Sequence, residues 1–177
     1  MRRFTGAGAA EAARLIALYH QGRPGASPVE LYQLISTDYW IGTDTMLQAE
    51  RKAALHGAPV WLYRFDKTTP VRAGKLRSPH MLEIPYVLHN LDKAAEFTGR
   101  NQRNAVLEDV LSRCWTRFAA TGDPNGAGLP HWPAFDRGTR PLMAVDDVSR
   151  VEFDPHRLER EAVLALRARQ GDPVAAL

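Results

Sequence analysis

Apolar residues recur at helical spacing in several parts of the chain, most clearly over residues 101–121. In this segment they repeat at i, i+3, i+4 and i+7, which predicts an amphipathic helix. Shorter helices are predicted over 8–20, over 28–36 and over 155–169. Another begins at Asp38 or Thr43 and runs to about His56. The apolar stripe of the 101–121 helix consists of Leu107, Val110, Leu111, Cys114, Trp115 and Phe118.

A different pattern appears at residues 59–65, where β-branched and aromatic side chains dominate. This segment predicts a strand that is apolar at most positions, as in a sheet covered on both faces. Two shorter strands are predicted over 141–148 and 150–153, joined as a hairpin. Residues 66–85 show no sustained periodicity and predict a long loop. Loops of this length in compact domains are usually functional.

The predicted strands are too few for a free-standing α/β domain. A strand buried on both faces needs neighbours on each side to satisfy its backbone groups. The pattern therefore indicates an α/β fold of which this chain is a part, with an incomplete sheet. A mostly helical domain with a small sheet is the alternative.

Composition and charge exclude several classes of protein. The 177 residues are 45% hydrophobic and 24% charged, which is typical of a globular protein. Although the net charge is +3, the basic residues of 157–169 alternate with acids, which argues against a nucleic-acid surface. No run of about 18 apolar residues predicts a transmembrane helix. Cys114 is the only cysteine, so it cannot form an internal disulfide, and we interpret it as a buried structural thiol.

The start of the chain bears on its location. Residues 1–3 are basic, but no apolar core of a signal peptide follows, because Gly6, Gly8 and Glu11 interrupt the segment. We therefore expect either a cytoplasmic protein or a natural N-terminus that lies outside this sequence.

Three motifs carry a family resemblance. Residues 77–88 read RSPHMLEIPYVL, residues 57–65 read GAPVWLYRF, and residues 115–125 read WTRFAATGDPN, followed by GLPHWP at 128–133. In this order they resemble the type-B carboxylesterases, the family of the cholinesterases and p-nitrobenzyl esterases. The resemblance covers about residues 10–155 and implies a single partial α/β-hydrolase domain over 1–177. Residues 171–177 are expected to form a frayed tail.

The resemblance implies which part of the fold is present and which residue does chemistry. This is the C-terminal part of an α/β-hydrolase: the last main strand, the histidine loop, a long helix, then a short hairpin and a helix. His80 matches the family's catalytic histidine, the general base and acid of serine-type ester hydrolysis. The sequence departs from the family pattern at Met81, where a small residue is common, and at Leu88, where phenylalanine is common.

Glu83 stands three residues after His80 and has two functional interpretations besides a structural one. It could be the triad acid, or it could form a metal pair with His80, but no further His or Cys cluster supports a metal site. We favour the structural interpretation, in which the carboxylate accepts hydrogen bonds from the loop backbone. No metal and no cofactor is predicted.

The other catalytic elements of the family are not found in this sequence. No serine has the Gly-x-Ser-x-Gly context of the nucleophile, there is no oxyanion-hole Gly-Gly run, and the family's acid precedes the matched region. The resemblance therefore implies a carboxylic ester hydrolase acting on a small ester, and we expect this chain to be inactive alone. The alternative is a non-catalytic cholinesterase-like interaction module, and an exposed incomplete sheet would favour association in either case. The serines of the sequence, none of which has the Gly-x-Ser-x-Gly context, are Ser27, Ser36, Ser78, Ser112 and Ser149.

Overall fold

A computed structural model describes residues 5–126 and 128–175. In chain order the elements are α1 (Ala9–Gln21), α2 (Pro28–Thr37), a π-helical turn (Asp38–Gly42), α3 (Thr43–Ala54), β1 (Tyr63–Phe65), a 3-10 turn (Val71–Gly74), α4 (Ile84–Val87), α5 (Ala95–Thr98), α6 (Gln102–Thr121), β2 (Pro141–Val145), β3 (Arg150–Phe153) and α7 (Arg157–Arg169).

The chain divides into two compact units. The helical unit comprises Met1–Lys52 and Pro155–Leu177, and the sheet unit comprises Ala53–Asp154. The sheet unit contains β1, β2, β3 and the helices α4 to α6, whereas α1, α2 and α7 belong to the helical unit. No helix in the part of the chain that the structure describes has both the length and the apolarity needed to cross a membrane.

Local sequence signals fix the helix ends in the helical unit. Ser27 caps α2, because its Oγ accepts a hydrogen bond from Glu30 N while the Glu30 carboxylate accepts one from Ser27 N at 2.9 Å. The two predicted starts of α3 are both explained, since the π-helical turn at Asp38 leads directly into the α-helix at Thr43. The core of this unit consists of Ala7, Ala12, Leu15, Tyr19, Leu31, Ile35, Val163 and Leu166.

Buried polar groups of the helical unit are paired with one another. The Tyr19 hydroxyl donates to Asp38 Oδ2 at 2.6 Å, and burial raises the pKa of both groups. Arg23 and Glu159 form a salt bridge of 2.5 Å. The first contact joins α1 to the π-helical turn, and the second joins the residues that follow α1 to α7. These buried polar and charged groups therefore each have a partner, which offsets the cost of removing them from water.

The sheet has the order β1-β2-β3, with β1 parallel to β2 and β2 antiparallel to β3. Tyr63 lies opposite Met143 in the parallel pair. The predicted hairpin is confirmed, although β2 ends at Val145 because a turn begins at Asp146, whose carbonyl accepts a hydrogen bond from Ser149 Oγ at 3.0 Å. The predicted strand at 59–65 is shorter than expected, with ladder pairing over Tyr63–Phe65.

The core of the sheet unit lies between the sheet and α6. All five residues of β2 are buried, and two of them, Met143 and Val145, share a cluster with side chains from α4, α6 and the segment before β2. Of the stripe predicted for α6, Leu107, Leu111 and Cys114 are buried, whereas Phe118 is 45% exposed. The buried cluster consists of Tyr86, Leu107, Leu111, Trp132, Met143 and Val145.

Candidate active-site loop

His80 lies on the loop that begins where β1 ends and leads into α4, as predicted from the sequence. Its side chain is exposed. Within residues 5–126 and 128–175 the imidazole makes no hydrogen bond. The ring is therefore presented to solvent from a defined position next to the carboxyl end of a parallel strand.

Hydrogen bonds attach both arms of this loop to the sheet unit. Ser78 Oγ donates to Phe65 O at 2.8 Å, which ties the residues before His80 to the last residue of β1. Thr69 N donates to Arg77 O at 2.9 Å and so joins the outgoing arm to the returning arm. Thr69 Oγ1 in turn donates to Phe97 O at 2.7 Å. Because these groups are fixed to one another, the loop holds His80 at a constant distance from the end of β1.

A tight turn surrounds His80 itself. Leu82 N donates to Pro79 O at 3.1 Å, and the Leu82 side chain is fully buried, with 0% exposed. Between them Met81 adopts a φ of 72° and leaves its side chain 51% exposed. A positive φ favours glycine because it lacks Cβ. This explains why a small residue suits position 81 and identifies Met81 as a strained residue beside the proposed base.

Glu83 does not behave as the sequence led us to expect. Its carbonyl accepts hydrogen bonds from Tyr86 N and Val87 N, both at 3.0 Å, which starts α4. Within the described part of the chain the carboxylate itself accepts none, from the loop backbone or from His80. The pKa of the Tyr63 hydroxyl is raised first by burial and then by the negative charge of the Glu83 carboxylate. Glu83 thus acts on Tyr63 through its charge, at longer range than a hydrogen bond. The prediction that this carboxylate accepts hydrogen bonds from the loop backbone is thus wrong.

A buried lysine supports the start of the loop, and sequence reasoning missed it. Lys67 is 6% exposed and donates from Nζ to Asp147 Oδ1 at 2.6 Å. Asp147 lies in the turn between β2 and β3, so the ion pair joins the histidine loop to the hairpin. No local pattern marks this pair, because its members are 80 residues apart.

The sequence of this chain is similar to those of known proteins. A sequence model of the carboxylesterase family matches residues 9–161, which is most of the chain. The chain belongs to the carboxylesterase family. The para-nitrobenzyl esterase of Bacillus subtilis (strain 168) is 32% identical over 151 residues, covering 81% of this chain and 30% of that protein. The phenmedipham hydrolase of Pseudarthrobacter oxydans is 33% identical over 96 residues, covering 50% and 19%.

Solved carboxylesterase structures confirm the fold as part of an α/β-hydrolase. A carboxylesterase of Geobacillus stearothermophilus superposes with a TM-score of 0.72 at 35% identity, covering 91% of this chain and 33% of that one. A thermophilic p-nitrobenzyl esterase superposes with a TM-score of 0.70 at 26% identity, covering 92% and 32%. The chain therefore spans about a third of the length of these esterases.

Several serine hydroxyls of the described residues donate hydrogen bonds to main-chain carbonyl oxygens. Ser78 is two residues from His80, but its hydroxyl donates a hydrogen bond to Phe65 O. Ser36 Oγ donates to Tyr32 O at 2.5 Å, inside α2. No serine hydroxyl of the described residues is hydrogen-bonded to His80. A nucleophile activated by this histidine is thus not formed within these residues.

Other candidate groups have structural explanations. Cys114 is buried, its Sγ donates to Pro124 O at 3.2 Å, and burial raises the pKa of the thiol, which makes it a poor nucleophile. His89 Nε2 lies 2.9 Å from Asp109 Oδ1, and this hydrogen bond raises the pKa of the imidazole. Within 5–126 and 128–175 no three His, Cys, Asp or Glu side chains are grouped so that they could hold a metal ion.

Proposed function

We propose that this chain contributes the catalytic histidine, His80, to a serine carboxylesterase that hydrolyses a small carboxylic ester. The observation that supports this most directly is the position of His80 in a chain of the carboxylesterase family. It is on an exposed, anchored loop directly after a parallel strand. In α/β-hydrolases the histidine follows serine and acid along the chain.

In this proposal His80 accepts the proton of a serine hydroxyl as the hydroxyl attacks the ester carbonyl. The protonated ring then donates that proton to the leaving alcohol, and the cycle repeats with water to release the acid. An imidazole suits both roles because its ordinary pKa, about 6.5, lies near neutral pH. No serine of these 177 residues has the Gly-x-Ser-x-Gly context of the family's nucleophile, and we assign the serine, the acid and the oxyanion donors to polypeptide outside this sequence.

The chain by itself is then expected to be inactive. Purified chain would be incubated with p-nitrophenyl acetate and, separately, with a fluorophosphonate that labels activated serines. We expect no hydrolysis above the uncatalysed rate and no labelled serine, because the nucleophile and the oxyanion donors supply the largest catalytic terms. Turnover accompanied by labelling of a serine in this chain would refute the proposal.

The role of His80 is tested where serine and acid are present. Residues 9–161 would replace the matching part of the Bacillus subtilis para-nitrobenzyl esterase, and p-nitrophenyl ester hydrolysis would be measured. In an active chimera, His80→Gln should lower kcat by about 1,000-fold, since the base is lost. The control His89→Gln, which changes an exposed histidine in an ion pair with Asp109, should keep the activity of the chimera.

Two results of this experiment contradict the proposal. One is a chimera whose activity survives His80→Gln. The other is a correctly folded chimera that neither hydrolyses the ester nor labels with fluorophosphonate, which would favour the non-catalytic interaction module instead.

A further inference from the structure

Lys67 is the most buried charged residue of the loop that carries His80. Its side chain is buried, with 6% of the residue exposed, whereas Lys75 of the same loop is exposed. A buried ammonium group is costly unless it is paired and hydrogen-bonded. Lys67 meets this condition through one partner, because its Nζ donates to Asp147 Oδ1 at 2.6 Å. The loop thus contains one lysine whose position is set by a specific carboxylate.

The main chain of Lys67 is attached to the same part of the sheet as its side chain. The N–H groups of Asp66 and Lys67 both donate to Val145 O, at 2.8 and 3.2 Å. Val145 is the last residue of β2, and Asp147 lies in the turn that follows it. Lys67 is therefore held through its main chain and through its ammonium group at the place where β2 leads into the hairpin turn.

A main-chain hydrogen bond links Lys67 to the arm of the loop that leads to His80. Thr69 N, two residues after Lys67, donates to Arg77 O at 2.9 Å. His80 is three residues beyond Arg77, and three residues span at most about 11 Å. The position of the imidazole therefore depends on where Lys67 is held.

Asp147 also acts on the far end of the loop. Burial, and then the charges of Asp147, Glu108 and Asp146, raise the pKa of Tyr86 to about 12. Tyr86 lies in α4, directly after the loop, and its ring is 5.3 Å from that of Phe65 between centroids. The carboxylate of Asp147 is therefore near both ends of the loop, in an ion pair at one end and through its charge at the other.

A buried ion pair adds little stability relative to apolar side chains of the same size, because desolvation offsets the attraction. What such a pair supplies is a fixed distance and direction between its two groups. We propose that the Lys67–Asp147 pair positions His80 for proton transfer, so that Lys67 and Asp147 are positioning residues of the reaction. The proposal rests on the function proposed above for His80, since proton transfer requires donor–acceptor distances of about 2.6–3.2 Å.

The first test uses the 177-residue chain and the matched variants Lys67→Met and Lys75→Met. Both replace a lysine of one loop by an apolar side chain of similar length, but Lys75 forms no ion pair in the described part of the chain. Amide hydrogen exchange measured by NMR should be at least about tenfold faster at Thr69 in Lys67→Met, because its hydrogen bond to Arg77 opens more often. Lys75→Met should leave that rate unchanged, and the amide of Met143 in β2 should exchange as in the parent chain in both variants.

Methionine at position 67 keeps the variant able to fold. It fills a similar volume and leaves no buried ammonium group without a carboxylate. The side chain of Asp147 is 27% exposed, so its charge remains in contact with water when Lys67 is replaced. Circular dichroism and urea denaturation of the chain check that the fold is kept.

The second test measures catalysis in the chimera with the Bacillus subtilis para-nitrobenzyl esterase. Lys67→Met should lower kcat for a p-nitrophenyl ester at least about tenfold, because displacing a catalytic group by about 1 Å can cost about 100-fold. KM should change by less than about twofold, since the pair does not bind the ester. Rates are expressed per serine labelled to completion with fluorophosphonate, so a loss of folded protein lowers the number of labelled serines and not kcat. Lys75→Met should keep the kcat of the chimera.

Variants of Asp147 test the pair rather than the lysine alone. Asp147→Asn removes the charge and should lower kcat as Lys67→Met does, whereas Asp147→Glu keeps the charge and should retain most of the activity. The double variant Lys67→Met/Asp147→Asn should be no slower than Lys67→Met, because the two changes remove one interaction. If Asp147→Asn does not fold, Lys67→Met and its control decide.

The outcomes separate this inference from the function of His80. Unchanged exchange at Thr69 or an unchanged kcat in Lys67→Met overturns the proposal, and so does an equal loss in Lys75→Met. If His80→Gln abolishes activity in the same chimera, the function of His80 stands in either case. Activity that survives His80→Gln refutes that function and the catalytic part of this inference, whereas faster exchange at Thr69 still supports the pair as the contact that holds the loop.

Discussion

The helical unit and the sheet unit treat their polar groups differently. In the helical unit the buried Tyr19 hydroxyl donates a hydrogen bond to Asp38, and the Glu159 carboxylate, 9% exposed, forms a salt bridge with Arg23. In the sheet unit the core is equally well buried around Leu111, but among the described residues the N–H groups of Tyr63 and Phe65, at the edge of β1 away from β2, have no partner. Among the described residues, these buried side chains of the helical unit are paired within the unit, whereas the edge of β1 in the sheet unit has main-chain groups without a partner.

This difference shows which main-chain groups of the described residues are open to water or to a partner. Burying an unpaired polar group costs free energy, so folded proteins leave such groups only where water or a partner reaches them. The open edge and the exposed His80 both belong to the sheet unit. We infer that the helical unit is stabilised by its apolar core together with these buried pairs, and that the sheet unit is stabilised by its apolar core and the Lys67–Asp147 pair.

The largest effect is expected from the core of the sheet unit. Leu111→Ala should lower the free energy of unfolding by about 3 kcal/mol, because it removes a buried side chain and leaves a cavity. Leu111 is 1% exposed, and the control Val106→Ala changes a side chain on the same helix that is 66% exposed. Urea denaturation followed by tryptophan fluorescence measures both. A loss below about 0.5 kcal/mol for Leu111→Ala would show that this core does not stabilise the unit.

A smaller loss is expected from the charged pair of the helical unit. Glu159→Ala leaves Arg23, whose side chain is 23% exposed, without its carboxylate. We expect a loss of about 2 kcal/mol, below the full effect of a buried pair because water reaches the arginine. Glu161→Ala, which removes an exposed pair with Arg157 on the same helix, should cost less than about 0.5 kcal/mol. Equal losses in the two variants would mean that the buried pair is not special.

Relief of strain beside His80 should have a smaller effect of opposite sign. Met81→Gly is expected to raise the free energy of unfolding by about 0.5 kcal/mol, because Met81 has a φ of 72° and glycine adopts such values without strain. The control Leu88→Gly changes another exposed side chain, at a φ of −85°, and should lower stability. Thermal unfolding of both variants measures the difference. A loss of stability in Met81→Gly would show that its side-chain contacts outweigh the strain.

The smallest effect is a dependence on pH in the helical unit. Burial raises the pKa of Asp38, so the folded state holds this proton more tightly than the unfolded state does. Ionising the group therefore costs stability as pH rises above the ordinary aspartate pKa, about 4. Asp38→Asn cannot ionise and still accepts from Tyr19, so its stability relative to the parent protein should improve between pH 4 and pH 7.

Asp172 provides a control with the opposite sign. Hydrogen bonds from Val174 N and then from Arg167 lower the pKa of Asp172, so its ionised form stabilises the fold. That contribution is present above the ordinary aspartate pKa and is lost as pH falls towards the lowered value. Asp172→Asn should therefore lose relative stability as pH rises from the lowered pKa of Asp172 to about 4, and change little above that. Urea denaturation at about pH 3, 4 and 7 measures the two variants, and slopes of the same sign, for Asp38→Asn above pH 4 and for Asp172→Asn below it, would contradict the assignment.

Much of the fold was predictable because its signals are local. The capping sequence at Ser27 and the apolar stripe of α6 depend on neighbouring residues, and both appear as predicted. The short helices α4 and α5 were missed because four-residue elements have no period to detect. The strand before the loop was predicted too long, because ladder pairing depends on where β2 runs and not on β-propensity alone.

The candidate site divides in the same way. The motif around His80 identified the histidine and the family, and the family is confirmed by the match over 9–161. The contacts that hold the loop were not predictable. Ser78 bonds to the carbonyl of Phe65, and Lys67 reaches Asp147 across 80 residues, so neither contact has a sequence signature.

The sequence by itself determined the helices, the hairpin, the family and His80 as the residue to test, because periodicity, turn residues and motifs are written along the chain. Only the tertiary structure decided that, among the described residues, the edge of β1 away from β2 has no neighbouring strand, that Met81 is strained and that the Glu83 carboxylate makes no hydrogen bond to His80. These properties depend on which strand pairs with which and on the backbone angles that the packed loop must adopt. Such relations join residues distant in sequence, so a linear pattern does not contain them.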